Sequence, residues 1–464
     1  MTTLVIQPMK LGDLVQSTPL LADLKALGPP LTLVVTRPEV AAAAKLTGLP
    51  DRVALIAEDD FKNGPSLTGL PDAPDLLVNL SSSAPSLALA GRLRAKTRLG
   101  PQNGAQNGAQ NGHVGLSLPP AQRLAAAIMA VERPLGRLNL VDIWRLLSPA
   151  GPAASKSTLW PLDPAMGLTE ALGPELGHAL AQAAPPIVGL HLGSGNHLRR
   201  WPVERFVALA KGLPGATIAL LGGASERSLA RRFLALRDPS DPPAIDLSGK
   251  TSLAALGPAI KKLNLFVSAD TGVMHIAAAL GAQVLAVFGG PALAGETGPY
   301  APGSIIVQGR SHCSPCAESR RCPARPCPAL PPVGPVLRAA RRLLFLPDGP
   351  LPDPDPSVTV YGTATDALGQ TLKGFFPTPL GPSERLAHAI REAAAASLCP
   401  GLAPNPALEN LPLAPPAKGW PDALPTVTAI AKLAFDAPIA RKAFTEATLA
   451  ALSRIDRAGV VYQA

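Results

Sequence analysis

LNLFVSADTGVMHIAAALGAQVLAVFGG, residues 263–290, decides the fold class. An apolar run (LNLFV) ends in a turn at Asp270, Thr271 and Gly272. A helix of small residues follows, and then a second apolar run, VLAVF. Short apolar runs alternating with helices of about ten residues are the pattern of parallel βαβ units. The same alternation runs through the first third of the chain, where TLVIQ (3–7), LTLVVT (31–36) and DLLVNLSSS (75–83) read as strands passing into loops. PLLADLKAL reads as a helix with Thr18 as its N-cap and Pro19 at its first position. After a Pro-, Gly- and Ala-rich segment at 148–185 the pattern restarts. PPIVGLHLGSG (185–195) is a strand and glycine turn, VERFVALAKGL a helix, ATIALLGG (216–223) a strand and SERSLARRFLAL a helix.

A chain of 464 residues is too long for one hydrophobic core. The expected organisation is α/β, with two Rossmann-like domains, 1–165 and 166–345, facing each other across a cleft. Residues 346–464 are expected to be a Pro-rich linker (DGPLPDPDPS) and a mainly helical extension, from SERLAHAIREAAAA and AFTEATLAALSRI. QNGAQNGAQNG (102–112) reads as a flexible surface loop. Open parallel sheets bind ligands at the carboxyl ends of their strands. That rule brings Asp13, Gly193 to Arg200, Gly222 to Glu226 and Asp270 to His275 to the cleft.

The net charge of +9 favours anionic partners, although a generally basic proteome gives the same balance. Three tyrosines and ten phenylalanines supply few stacking platforms, which argues against nucleic acid. MTTLVIQPMKLGD has no basic region followed by a long apolar core, so no signal peptide is expected. The longest uncharged stretch, Thr271 to Gly295, is interrupted by glycines and Pro291 and reads as helix then strand, not as a membrane span. Five cysteines do not suggest a secreted disulfide framework. The expected location is cytoplasmic, with peripheral contact at the inner face of the cytoplasmic membrane.

Three constellations carry the chemistry. In DTGVMH, a helix N-terminus offers unpaired N–H groups and partial positive charge to a phosphate. Thr271 adds a hydroxyl and Gly272 permits close backbone approach. Asp270 is either the helix cap or a carboxylate that orients a ligand, and His275 either touches phosphate or sits in the core. In GSGNHLRRWPVERF (193–206), the glycine turn with Ser194, Arg199 and Arg200 forms a diphosphate cradle, because guanidinium matches phosphate oxygens and keeps its charge. In KLGDLVQSTP (10–19), Lys10 can meet an anion, Gly12 allows a tight turn, and Asp13 is either a general base or an ordinary loop acid.

Together, GDLVQSTP (12–19), RRWPVERF (199–206) and DTGVMHIAAALG (270–281), with NLVDIW (139–144) and DLSGKTSLAAL (246–256), resemble the heptosyltransferases of glycosyltransferase family 9. The resemblance covers roughly residues 1–345. It implies a GT-B fold and inverting, metal-independent transfer from ADP-heptose to an inner-core lipopolysaccharide acceptor, a lipid-linked acidic glycan, with no cofactor. It implies Asp13 as the base, with Lys10 and Gly12 on the acceptor side. Ser194, Arg199, Arg200, Glu226, Asp270, Thr271, Gly272 and His275 are implied on the donor side, Glu226 holding the ribose. Arg199 stands where the family usually has lysine, so Arg200 is an alternative for that role.

HCSPCAESRRCPARPC (312–327) places four thiols, Cys313, Cys316, Cys322 and Cys327, at spacings that suffice for tetrahedral zinc, although zinc ribbons usually set the pairs further apart. Reduced thiols in a structural loop, which the family favours, and disulfides are the competing accounts. Two rival functions stand beside the leading one. One is a family 9 enzyme with another donor or surface-glycan acceptor. The other is a non-catalytic anion- or nucleic-acid-binding module built around the Cys cluster.

Overall fold

The structure, a computed structural model, describes residues 2–28, 30–64, 67–101, 138–150, 158–161, 166–311, 327, 330–345, 355–365, 369–374, 445 and 448. The chain divides into two compact units, the first running to Thr158 and also taking Thr365 and Gly369, the second beginning at Leu159. Each is a mainly parallel sheet flanked by helices, the α/β organisation expected.

The first unit is built on β1 (Thr3–Ile6), β2 (Leu31–Val35), β3 (Arg52–Leu55), β4 (Leu76–Asn79) and β5 (Thr97–Leu99). Their order is β3-β2-β1-β4-β5, parallel throughout. Leu4, Ile6, Val34 and Leu77 pack with Phe61, Leu89 and Leu93 on one face. The order reverses between β1 and β4, the place where such sheets take their ligands.

The helix after β1 corrects the sequence expectation. It spans Leu11–Ala26, so Thr18 is not its cap and Pro19 lies inside it. Proline has no N–H to give the carbonyl four residues back. The Thr18 hydroxyl donates to that carbonyl, Val15 O, at 2.6 Å. The Ser17 hydroxyl likewise serves Leu14 O at 2.8 Å. The Thr18 hydroxyl thus occupies the carbonyl that Pro19 leaves without an N–H, and the helix continues through the proline.

The second unit holds β6 (Ile187–His191), β7 (Thr217–Leu221), β8 (Ala244–Asp246), β9 (Leu265–Ser268), β10 (Val284–Phe288), β11 (Ile305–Gly309), β12 (Val358–Thr365) and β13 (Gln370–Gly374). Their order is β13-β12-β11-β10-β9-β6-β7-β8. The strands from β6 to β11 pair in parallel. Helices cover both faces, so β6, β7 and β10 are buried along their whole length and read as unbroken apolar runs.

β12 and β13 fall in the segment read as linker and helices, and are a second correction. β12 runs antiparallel to β11, with Val360 opposite Val307 and Val358 opposite Gly309. Val358 and Val360, each 4% exposed, join the core formed by Ile305, Val307, Val336, Ala339 and Ala340. The prolines that ended the α/β pattern stop at Pro356, just before this strand. The QNGAQNGAQNG insert and the helical patterns assigned to the extension lie outside the described residues, save Thr445 and Thr448. Among the described residues no helix is long and apolar enough to cross a membrane.

Because Val360 is part of this core, Val360→Ala removes buried apolar volume and is expected to lower stability by about 2 kcal/mol. Thr359→Ala on the more exposed side changes it by less than about 0.5 kcal/mol. Denaturant unfolding of both variants checks the difference; equal effects would detach β12 from the core.

Candidate functional site

In the second sheet, β7 and β8 lie to one side of β6 and β9, β10 and β11 to the other, so the order reverses between β6 and β9. His191 and Ser268 are register partners at the ends of these strands. The loops that follow therefore start side by side, one carrying GSGNHLRR and the other ADTG.

The first loop is fixed at both ends of its arginine pair. The Asn196 side chain accepts the Leu198 N–H at 2.9 Å and so shapes the 3₁₀ turn His197–Arg199. Leu198 and Trp201 are buried. Trp201 Nε1 donates to Pro331 O at 2.8 Å, and its ring meets Phe206 edge-on at 4.8 Å. Between these anchors Arg199 and Arg200 stay half-buried and turn to different partners. Arg199 Nη1 reaches Asp270 Oδ2 at 2.6 Å. Arg200 Nη2 donates to Ser194 O at 3.0 Å and braces its own loop. Ser194 is buried, and its hydroxyl accepts the Asn196 N–H at 3.3 Å.

Asp270 is not the helix cap. Thr271 is: its side chain accepts the Met274 N–H at 3.3 Å at the start of the helix Gly272–Ala279. Its hydroxyl also lies 3.0 Å from Ser268 Oγ. Asp270 is freed to turn inward, where its side chain is 4% exposed. Burial pushes its pKa up, but His275, Arg199 and Thr297 together outweigh burial and hold the carboxyl below its ordinary value. Thr297 Oγ1 lies 3.1 Å from Oδ2 and His275 Nε2 3.7 Å from Oδ1. His275, 4% exposed, is thus a core histidine behind Asp270. Thr271, Gly272 and Val273 remain half-buried, leaving the helix start accessible.

The loop after β7 brings Glu226 to the same edge. Its Oε2 accepts the Gly223 N–H at 2.8 Å and its Oε1 the Ser225 hydroxyl at 2.8 Å. Gly193 and Gly222 make room for its stem, since a Cβ on Gly193 would lie 2.4 Å from Glu226 Cγ and one on Gly222 2.7 Å from Glu226 Cβ. His191 was not singled out from the sequence, where it reads as one more residue of an apolar strand. It is 5% exposed, its Nδ1 finds no hydrogen-bond partner among the described residues, and burial lowers its pKa against the raising influence of Glu226 and the Gly193 backbone. The ring is held neutral at the floor of the loops.

In the first unit, the residues after β1 take a capping arrangement. Asp13 Oδ2 accepts the Lys10 N–H at 2.9 Å. Lys10 is exposed, and Gly12 and Asp13 are half-buried. Cys313, Cys316 and Cys322 of the zinc alternative lie outside the described residues. Cys327 is buried, 3% exposed, against Gly290, where a Cβ would come within 3.0 Å of both Cys327 Cβ and Leu198 O. The φ of +60° at Gly290 would itself strain any other residue.

The pair Arg199–Asp270 makes a pH-dependent prediction. The Asp270 pKa in the fold lies below the unfolded value of about 3.9, so its paired carboxylate stabilises the protein above that pH, and the contribution fades as acid protonates it in the fold. Arg199→Met removes one of the charges opposing burial, raises this pKa, and costs about 3 kcal/mol near pH 7. The gap to the wild type narrows as the pH falls from about 7 to about 4, because the variant takes up its proton first. Thermal unfolding midpoints across that range check it; a pH-independent gap would mean lost packing alone.

Residues 165–326 match the family model for glycosyltransferase family 9 (heptosyltransferase). Over 128 residues the chain is 31% identical to lipooligosaccharide heptosyltransferase 2 of Haemophilus ducreyi, covering 26% of this chain and 37% of that one. Over 147 residues it is 32% identical to lipopolysaccharide heptosyltransferase 1 of Pseudomonas aeruginosa, covering 31% of this chain and 39% of that one. The matches therefore span well under half the length of these curated relatives. The crystal structure of the glycosyl transferase family 9 from Veillonella parvula has a TM-score of 0.53 to this chain at 18% identity, covering 74% of this chain and 97% of that one, a likeness of fold. The stretch that resembles glycosyltransferase family 9, 165–326, is the one that contains Arg199, Glu226 and Asp270.

Proposed function

We propose that the protein is an inverting, metal-independent glycosyltransferase that moves heptose from ADP-heptose to an inner-core lipopolysaccharide acceptor. The observation that carries this reading is the meeting of Arg199 and Asp270 at the topological switch point of the second sheet, beside the accessible start of the helix Gly272–Ala279. A nucleoside diphosphate placed there meets a permanent cation, Arg199, and the backbone N–H groups of a helix N-terminus. These fixed donors stabilise the negative charge that builds on the departing diphosphate without reorganising during the reaction. Glu226, immobilised by Gly223 and Ser225, presents a carboxylate to the donor's ribose hydroxyls. Arg200, Ser194 and Thr271 shape the loops around it, while His275 supports Asp270 from behind.

Asp13 is the proposed base. It takes the proton of an acceptor hydroxyl, whose oxygen attacks the anomeric carbon as the bond from that carbon to the diphosphate oxygen breaks. One displacement inverts the anomeric centre and releases ADP. Lys10 and Gly12 border the acceptor, and the basic charge of the chain suits an acidic, lipid-linked glycan at the cytoplasmic face of a membrane. The names of the curated relatives, lipooligosaccharide and lipopolysaccharide heptosyltransferases, support a heptosyl group as the sugar moved and a lipopolysaccharide-type acceptor.

The test is acceptor-dependent ADP release from ADP-heptose. Asp13→Ala is expected to lower the turnover by about 10²–10⁴-fold while leaving ADP binding within a factor of about two. Turnover only with other nucleotide sugars or other glycan acceptors would keep the enzyme and replace its substrates. Silence with every donor would favour the anion-binding module.

A further inference from the structure

We propose that Thr297 is a positioning residue for the diphosphate clamp: it holds the Asp270 carboxylate that aims the Arg199 guanidinium, and Gln308 holds Thr297 in place. The inference rests on Arg199 being the donor-diphosphate contact of the function proposed above.

Thr297 ends the short helix Ala294–Thr297, which follows β10, and it is 8% exposed. A helical threonine commonly turns its hydroxyl to the carbonyl four residues back. Here that carbonyl, Leu293 O, is 3.5 Å away, whereas Asp270 Oδ2 is at 3.1 Å. A hydroxyl has one hydrogen to donate, and the shorter contact takes it. The oxygen it reaches is the one that accepts Arg199 Nη1 at 2.6 Å. Two donors on one oxygen from different loops fix the rotation of the carboxyl group, and with it the direction from which the guanidinium approaches.

The segment leading to Thr297 is itself held. Gln308, near the end of β11, spends both ends of its amide on it. Its Oε1 accepts the Ala294 N–H at 2.9 Å and its Nε2 donates to Ala292 O at 2.9 Å. Immediately after Thr297, a Cβ on Gly298 would lie 2.4 Å from Ala294 O, so the backbone there is packed close. A continuous set of contacts thus runs from β11 through the loop after β10 to Asp270 after β9 and Arg199 after β6. Among the described residues, the charged or titratable groups that face Asp270 are Arg199 and His275. Thr297 is uncharged, so removing its hydroxyl changes the orientation and proton affinity of Asp270 without changing the charge of the site.

Calorimetric titration of the full chain with ADP, from pH 5 to 8, tests the proposal. Thr297→Val keeps the shape and loses the hydroxyl. It is expected to bind ADP about tenfold more weakly, and its affinity to fall away at a higher pH on the acid side than that of the wild type, because Asp270 then holds its proton more readily. Thr297→Ser restores the hydroxyl and is expected to return the affinity to within about threefold of the wild type. Gln308→Met, which leaves Thr297 intact but untethers its segment, is expected to weaken ADP in the same direction, and it stands in for Thr297→Val should that variant not fold. Wild-type affinity in Thr297→Val, or equal losses in Thr297→Val and Thr297→Ser, would overturn the positioning role. Absence of ADP binding by the wild type would instead overturn the donor-site reading on which the proposal rests.

Discussion

A carboxylate taken almost wholly out of water stays ionised only if charge and hydrogen bonds replace the water it lost. Asp270 meets that condition through groups drawn from three other places: Arg199 after β6, Thr297 after β10 and His275 one turn along its own helix. The strand ends of the second sheet are therefore arranged around one buried negative charge. Arginine suits the opposing position because it cannot be deprotonated by its surroundings, and because its five N–H donors exceed what one carboxylate oxygen can accept. The pair thus fixes the loops to each other and holds a cation at the edge of the sheet.

Much of this was legible in the sequence because it depends on short-range chemistry. The alternation of apolar runs and small-residue helices identified parallel sheets. The glycines at 193, 222 and 272 and the arginines at 199 and 200 marked the loops that bear the site. The partners within the site were less legible. Whether Asp270 or Thr271 caps the helix is a choice between adjacent residues, both good caps. It is settled by Arg199, seventy-one positions away in the chain, which draws the aspartate inward. His191, Thr297 and Gln308 carry no motif. What distinguishes them is their place beside a buried charge or a tethered loop, which appears only when strand ends meet.

The two departures from expectation share a cause. Proline is a strong local signal, and both times a non-local or side-chain interaction overrode it. At Pro19 the hydroxyl of Thr18 occupies the carbonyl that proline abandons, so the helix continues. Beyond Pro356 the chain returns to an alternating β-branched pattern, and Val358 and Val360 find their burial against a sheet edge made about fifty residues earlier. Local propensity described both places correctly and still misassigned them, because the deciding partner was a carbonyl in one case and β11 in the other.

The antiparallel strand also sets an order of events during synthesis. The six parallel strands are complete once Gly309 has left the ribosome, yet β11 then presents a bare edge of N–H and C=O groups to solvent. It keeps that edge until Val358–Thr365 emerges and pairs with it. The nascent second unit thus passes through an interval in which its outermost strand is open to a neighbouring chain. A protein cut after Phe345 would retain the loops around Asp270 and make that interval permanent, combining an assembled site with a sticky flank.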